Sequence, residues 1–349
     1  MLKTGYTTGT CAAVAAKAAA MVLCGDRPDG MVDIPMPDGG RLALPIANFS
    51  GEGKYAVASV VKDAGDDPDV TNGMTVVARA GWHGGSGIIF VAGDGVGTVT
   101  KKGLSIPPGE PAINPVPRRM ICDAVREVTQ RPVMITISIP GGGELAKNTF
   151  NPRLGIVGGL SVLGTSGIVR PYSHPALRES LKCSMDVAIA NGIAFPVLTA
   201  GNIGTRSALK SFHISPEQVI EVGNEWGFML DCAAKHTISG LLAVGHPGKL
   251  AKLADGEWDT HSSRSKSVIP FVMSVAHGLF AMEPEESQTV EGIFASLPDS
   301  RRMELSCELS RRIRDAIVAR TGDQFPVAVA LVDMRENVTG FFGDMDKWK

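Results

Sequence analysis

The 349-residue chain has no run of about 18 uninterrupted apolar residues, so no segment is expected to span a membrane. It also lacks a basic excess: the formal net charge is −2. A general nucleic-acid binder needs surplus Lys and Arg to neutralise phosphates, so that class is set aside. Cysteine is sparse, with six residues at 11, 24, 122, 183, 232 and 307. No C-x-x-C occurs and no Cys/His group has zinc spacing, so no resident metal is expected. Buried free thiols in a reducing compartment are the expectation, and with them a cytoplasmic location. There is no Walker loop, no H-E-x-x-H and no G-x-S-x-G, which removes three common routes to phosphoryl transfer and hydrolysis. Aromatic residues make up only 5%.

What the chain does have is glycine, at 41 positions, together with 44% apolar and 20% charged residues. That balance belongs to a folded globular protein with many tight turns. The length exceeds what one hydrophobic core usually serves, so two domains are expected. Lys3 followed by the Ala-rich run 11–23 faintly imitates a leader peptide. Lys17 interrupts the run and Thr7, Thr8 and Thr10 precede it, which predicts a core helix over 8–24 instead. Thr8 or Thr10 would cap that helix and Gly25 would stop it.

Strand-like segments follow at 31–36, 41–46, 55–62 and 74–80, separated by Gly, Pro or Asp. Residues 88–92 and 97–100 read as one hairpin. Asn114-Pro115 starts a helix with apolar positions at helical spacing, and 132–139 is rich in β-branched residues. These elements predict an N-terminal α+β domain over 1–145. A glycine-rich stretch at 141–173 is either a linker or a loop that wraps a ligand. Beyond it the pattern becomes regular. Strand-like segments end at Gly201, Gly223 and Gly245, each 22 residues apart, with a helical segment after each. Helices at 263–280 and 302–320 and a last strand at 327–332 follow. Residues 146–349 therefore read as an open α/β, Rossmann-like domain with a mostly parallel sheet.

In such sheets ligands bind outside the carboxyl ends of the strands. Those ends carry Gly201, Asn202 and Gly204, then Gly223 and Asn224, then Gly245 and His246. Glycine admits close approach, Asn and His supply hydrogen bonds, and helix starts offer N–H groups to an anion. Tight turns alone explain any one of these glycines, whereas three in register favour a site. Gly93–Gly97 matches the G-x-G-x-G pattern, but strand-like Thr98-Val99-Thr100 follows where a helix should, so it reads as a hairpin turn. Asp63, Asp66, Asp67 and Asp69 read as a solvated turn, with Asp63 kept as a candidate because it follows a strand directly. His83, His213, His236, His261 and His277 read as surface or packing residues.

Four phrases are more particular: Gly5-Tyr6-Thr7-Thr8-Gly9-Thr10-Cys11-Ala12-Ala13, the run Val61 to Thr71, the run Gly109 to Arg118, and Asn148 to Val169. Together they resemble the cobalt-precorrin-5B C1-methyltransferase family of anaerobic cobalamin synthesis, with a match from residue 3 to beyond residue 250. The resemblance implies methyl transfer from S-adenosylmethionine to C1 of the cobalt-precorrin-5B macrocycle, giving cobalt-precorrin-6A. It also implies a fold other than the usual tetrapyrrole methyltransferase. Cobalt would arrive inside the substrate. The resemblance carries no assigned catalytic residue; Asp63, Glu144 and His246 are the candidates for proton handling.

A macrocycle rich in carboxylates calls for Arg, and Arg153, Arg170 and Arg206 are the candidates. With Gly158, Gly159, Gly164, Thr165, Ser166 and Gly167 they would hold the macrocycle in a cleft between the domains. The donor would lie over Gly201, Asn202, Gly204, Gly223 and Asn224, and the opposite placement stays open. Two rival readings remain: a small-molecule kinase whose glycine-rich loop holds phosphate, and a non-catalytic tetrapyrrole carrier. A homo-oligomer or transient contacts with neighbouring pathway enzymes are left open as well.

Overall fold

The computed structural model describes residues 2–281 and 287–348. The chain divides into two compact units, residues 1–174 and 175–349. The division expected at 145/146 thus falls 29 residues later, at 174/175. The reason is backbone pairing. Ile156–Val157 runs antiparallel to Thr98–Val99, and Ile168–Val169 runs antiparallel to Gly5–Tyr6. Val162 donates its N–H to Ala112 O at 2.8 Å and accepts that of Asn114 at 2.9 Å. The glycine-rich stretch is therefore stitched into the first unit.

The first unit is built round the helix Thr8–Leu23, in which every residue from Thr8 to Ala20 is buried. A helix that is apolar all round must be enclosed. Here it packs on the five-stranded sheet and on the helix Pro115–Arg126, and alanine lets those neighbours come close. Thr7 caps it, not Thr8 or Thr10, with its side chain accepting from Thr10 N. Lys17 is buried in this core and is compensated: Nζ donates to Glu127 Oε2 at 2.6 Å and to Asp33 O at 2.8 Å.

The first unit's main sheet has the order Asn48–Glu52, Tyr55–Val61, Thr75–Trp82, Val133–Ser138, Ile88–Ala92. Its pairs are antiparallel except the last, which is parallel. The expected hairpin of 88–92 with 97–100 does not form. Ile88–Ala92 pairs with Val133–Ser138, and Thr98–Val99 pairs with Ile156–Val157 in a separate two-stranded sheet. Gly93–Gly97 bridges the two sheets, with Gly95 at φ +72 pressed against Ile139 O. No helix follows it, as the strand-like residues after it had indicated. Asn48–Glu52, too polar to read as a strand, is an edge strand paired with Tyr55–Val61.

The second unit is a five-stranded sheet in the order Val219–Glu221, Val197–Thr199, Leu241–Gly245, Val327–Val332, Val338–Phe342. The first four are parallel and the last is an antiparallel edge, one strand beyond the one expected to end the sheet. One face, with Leu198, Ile220, Leu241, Ala243 and Val329, is covered by helices that include Trp226–Ala233 and Asp299–Thr321. The other, with Val197, Leu242, Val244 and Ala330, is covered by Asn202–Ser211 and the C-terminal segment around Trp348. Burial on both faces explains why these strands read as unbroken apolar runs. The helix expected over 263–280 is shorter, Ile269–Phe280, and Val290–Ser296 is an additional one.

Of the six cysteines, Cys11 and Cys232 are buried and Cys24 is exposed, with the rest between, so the thiols are less uniformly buried than expected. All are free, and burial pushes the Cys11 thiol up to about 12.

Candidate active site

The strand order locates a switch point. From Val197–Thr199 the chain moves outward to Val219–Glu221, then crosses back to Leu241–Gly245 on the other side. The helices after the first and third of these strands cover opposite faces, the arrangement that in open α/β sheets opens a crevice at the carboxyl ends. Gly201 lies there at φ +100 and precedes Asn202–Ser211 with no side-chain cap, so the first N–H groups of that helix have no partner supplied by a cap. Gly223, at φ +60, has open space where a side chain would stand. Gly204 differs: a Cβ there would come 2.8 Å from Val244 O, so this glycine seats the helix on the neighbouring strand. Asn224 is engaged with Thr260, accepting the Thr260 hydroxyl at 3.1 Å through its side chain.

Glu221 was not among the sequence candidates. It ends the strand beside Gly201 and accepts a hydrogen bond from Thr205 Oγ1 at 3.2 Å, while Thr205 meets Thr199 across 2.8 Å. Lys249, on the helix Pro247–Ala254, lies within its electrostatic reach. Burial pulls the Lys249 pKa down, and the Glu221 charge opposes that pull. A sequence signal existed: in dinucleotide sites an acidic residue about 20 positions beyond the glycine turn takes the ribose hydroxyls, and Glu221 stands 20 after Gly201.

His246 caps the helix Pro247–Ala254. Its Nδ1 accepts the Gly248 N–H at 3.0 Å, and its Nε2 lies 2.9 Å from Glu291 Oε2. The Nε2 proton thus points at a carboxylate, and the ring is held by both nitrogens. Arg206 is on an exposed helix face and is paired with Glu336 at 2.5 Å. A carboxylate already occupies it, which weakens its claim on a substrate.

In the first unit the four family-like phrases meet at the start of the Thr8–Leu23 helix. Thr7 N donates to Gly167 O, Gly9 N to Leu163 O, and Tyr6 N to Asp63 O. Thr8 Oγ1 bonds both Leu163 N and Leu163 O. Pro117 stands against Gly9. Asp63 is part of this knot: it pairs with Lys3 at 2.7 Å and accepts the Gly65 N–H at 2.8 Å. The Lys3 ammonium holds its carboxyl below the usual range, which makes it a weak base. Asp69 anchors the buried Lys62 at 2.6 Å, Asp66 takes the Lys3 N–H, and Asp67 takes that of Tyr172. The acidic cluster is a turn held by its own side chains. Glu144 is 81% exposed and, among the described residues, paired only with Lys147, three residues on.

Gly159, Gly164 and Gly167 are each pressed by the protein itself, against Gly95, Thr7 and Met36 respectively. Gly158 has open space around it. Thr165, Ser166, Arg153 and Arg170 are exposed. Neither arginine has an ion-pair partner among the described residues. Tyr172, which sequence reasoning passed over, is 73% exposed and held at φ 56, a left-handed conformation that is strained for a non-glycine residue. The candidates thus separate: Asp63, Glu144, Arg153 and residues 158–170 belong to the first unit, and Gly201 to Asn224, Arg206 and His246 to the second. Among the described residues no helix is long and apolar enough to cross a membrane.

Comparison with known proteins gives a consistent picture. Residues 1–171 match the family model described as CbiD. The chain is 51% identical over 348 residues to the cobalt-precorrin-5B C(1)-methyltransferase of Syntrophotalea carbinolica, covering 100% of this chain and 99% of that one. It is 42% identical to the protein of the same name from Thermus thermophilus, covering 95% and 92%. Among solved structures, a cobalamin biosynthesis protein (cbiD) from Archaeoglobus fulgidus is 31% identical, covering 75% of this chain and 83% of that one, with a TM-score of 0.41.

Proposed function

The chain belongs to the CbiD family of cobalt-precorrin-5B C(1)-methyltransferases, and from that premise we propose that it transfers a methyl group from S-adenosylmethionine to C1 of cobalt-precorrin-5B, giving cobalt-precorrin-6A. The observation that carries the reading is identity of 51% along the whole of both chains. The bond between sulfonium and methyl breaks, the macrocycle's C1 supplies the electron pair for the new C–C bond, and S-adenosylhomocysteine leaves. The donor is already activated by its charge, so the protein's work is alignment and exclusion of water. No protein nucleophile is needed.

Within this reading the donor's nucleoside lies over Gly201, Asn202, Gly223 and Asn224, with Glu221 accepting from the ribose hydroxyls. Gly204 supports that loop from behind. The open backbone at Gly201 and Gly223 and the carboxylate between them favour this assignment over the first unit's glycines. Arg153 and Arg170 take carboxylate arms of the macrocycle, beside Thr165, Ser166 and Gly158, and Tyr172 offers it an exposed aromatic face. Cobalt travels within the macrocycle. The enzyme acts in the cytoplasm, where its free thiols stay reduced.

The test is anaerobic incubation of the purified protein with cobalt-precorrin-5B and methyl-labelled S-adenosylmethionine. Label in the macrocycle at C1 and stoichiometric S-adenosylhomocysteine are expected. Binding of the macrocycle without either product would make the protein a carrier and end the proposal.

A further inference from the structure

Three helix starts in the second unit, with His246, Val268 and Thr289 just before their first turns, contribute to the wall of one cavity of about 410 Å³. Lys252 is buried in that wall. Its ammonium donates to Thr260 O at 3.2 Å and Ser265 Oγ at 2.7 Å, and among the described residues no carboxylate reaches it. A buried cation without a counter-charge is costly unless a ligand supplies one. Lys266 lines the same cavity. The helix Ile269–Phe280 begins there with no side-chain cap, adding the positive end of its dipole. Against this stands one lining carboxylate, Glu291, whose Oε2 meets His246 Nε2. The cavity therefore offers a place for an anion and a place for a cation in one wall.

That is the charge pattern of an α-amino acid. We propose that the cavity holds the α-amino-acid end of the methyl donor, its carboxylate against Lys252 and Ser265 and its ammonium against Glu291. This rests on the donor reading above and extends it. The geometry of the sheet agrees. The strands ending at Glu221 and at Gly245 flank the strand ending in Thr199, so they stand two strand spacings, about 10 Å, apart. An extended nucleoside amino acid spans that interval, with ribose at Glu221 and the amino-acid end beside His246. An acetate or propionate arm of the macrocycle brings a carboxylate but no ammonium, and would leave Glu291 without a cation.

Calorimetric titration separates these sources. S-adenosylhomocysteine carries the amino-acid end, and 5′-methylthioadenosine carries the same nucleoside without it. In Glu291→Gln and in Lys252→Met, affinity for S-adenosylhomocysteine should fall by roughly tenfold or more, with affinity for 5′-methylthioadenosine unchanged. If both folded variants bind S-adenosylhomocysteine as the unaltered protein does, the cavity assignment is overturned while the donor reading stands. A raised KM for the macrocycle with unchanged S-adenosylhomocysteine affinity overturns it too, in favour of a macrocycle arm. Failure of the unaltered protein to bind either nucleoside removes the donor reading and this inference together. Should Lys252→Met not fold, Glu291→Gln, at a half-exposed position, decides alone.

Discussion

Glu221→Gln isolates the charge of one carboxylate at nearly constant size. In the donor reading both ribose hydroxyls donate to Glu221. A hydrogen bond to a charged group contributes about 1.5–3 kcal/mol and a neutral one about 0.5–1.5, so each bond loses about 1 kcal/mol. Two bonds give about 2 kcal/mol, or about 30-fold in Kd. The fold should hardly notice. The amide oxygen of Gln still accepts from Thr205 Oγ1, and the position is only half-buried. Lys249 loses the charge that opposes its desolvation, so its pKa drops further, still without breaking a hydrogen bond that the structure records. Calorimetry with S-adenosylhomocysteine should show the 30-fold loss at an unchanged Tm. In steady state the donor's KM should rise while kcat and the macrocycle's KM hold, because a ribose contact is made equally in ground and transition states. A donor Kd within twofold of the unaltered protein's, at unchanged Tm, would refute the assignment of Glu221 and with it the polarity of the donor along the sheet edge.

The double variant Arg153→Ala, Arg170→Ala should raise the macrocycle's KM and leave donor affinity intact. Both side chains are exposed, so thermal stability should move by no more than about 0.5 kcal/mol; normal macrocycle kinetics would remove them from the site. Gly164→Ala forces a side chain onto the Thr7 cap at φ +137, and backbone strain plus overpacking should cost roughly 2–5 kcal/mol in urea denaturation of the full chain. A loss below about 1 kcal/mol would mean that the helix cap yields easily. Glu127 bonds Arg41 and Lys17, which hold its carboxyl down to about 2 in the folded protein against 4.5 in the unfolded chain. Its contribution is therefore complete above pH 4.5 and lost as the pH falls towards 2. The Tm gap between the unaltered protein and Glu127→Gln should close over that window, and a gap independent of pH would show that the charge is irrelevant.

The parts of the fold legible in the sequence are those whose cause is local. The Thr8–Leu23 helix follows from an alanine run between a threonine cap and Gly25, and the helix Pro115–Arg126 from Asn114-Pro115. The parallel sheet followed from three strand-glycine-helix units at equal spacing. What stayed hidden depends on partners. Ile88–Ala92 looks like half of a hairpin until Val133–Ser138 is found beside it, more than forty residues on. Asn48–Glu52 has almost no strand character of its own and is ordered by the edge of Tyr55–Val61. Glu221 carries only a weak signal in its spacing from Gly201, and gains meaning when the strand order sets the two side by side. Lys252 reads as an ordinary helical lysine, and only its burial, with no carboxylate reaching it among the described residues, sets it apart.

The phrases that identify the family are a separate matter, since recognisability and chemistry part company here. Gly9 sits where a Cβ would come 2.7 Å from Pro117, Gly159 crosses the backbone of Gly95, and Gly164 lies on Thr7. Each is required to let four distant chain segments close round the start of one buried helix, and none needs a ligand to account for it. At Gly201 the nearest atom to a built Cβ is Glu221 Oε1, 4.0 Å away, so the missing side chain leaves space that the protein does not fill. Filled glycines report packing, and unfilled ones at positive φ leave room for something from outside. By that criterion the first unit's long glycine-rich phrase is chiefly a clasp, with Gly158 its one open position among the predicted site glycines. On the proposed reading the donor's approach is at the sheet edge of the second unit, where the sequence is less distinctive and the backbone at Gly201 and Gly223 is open.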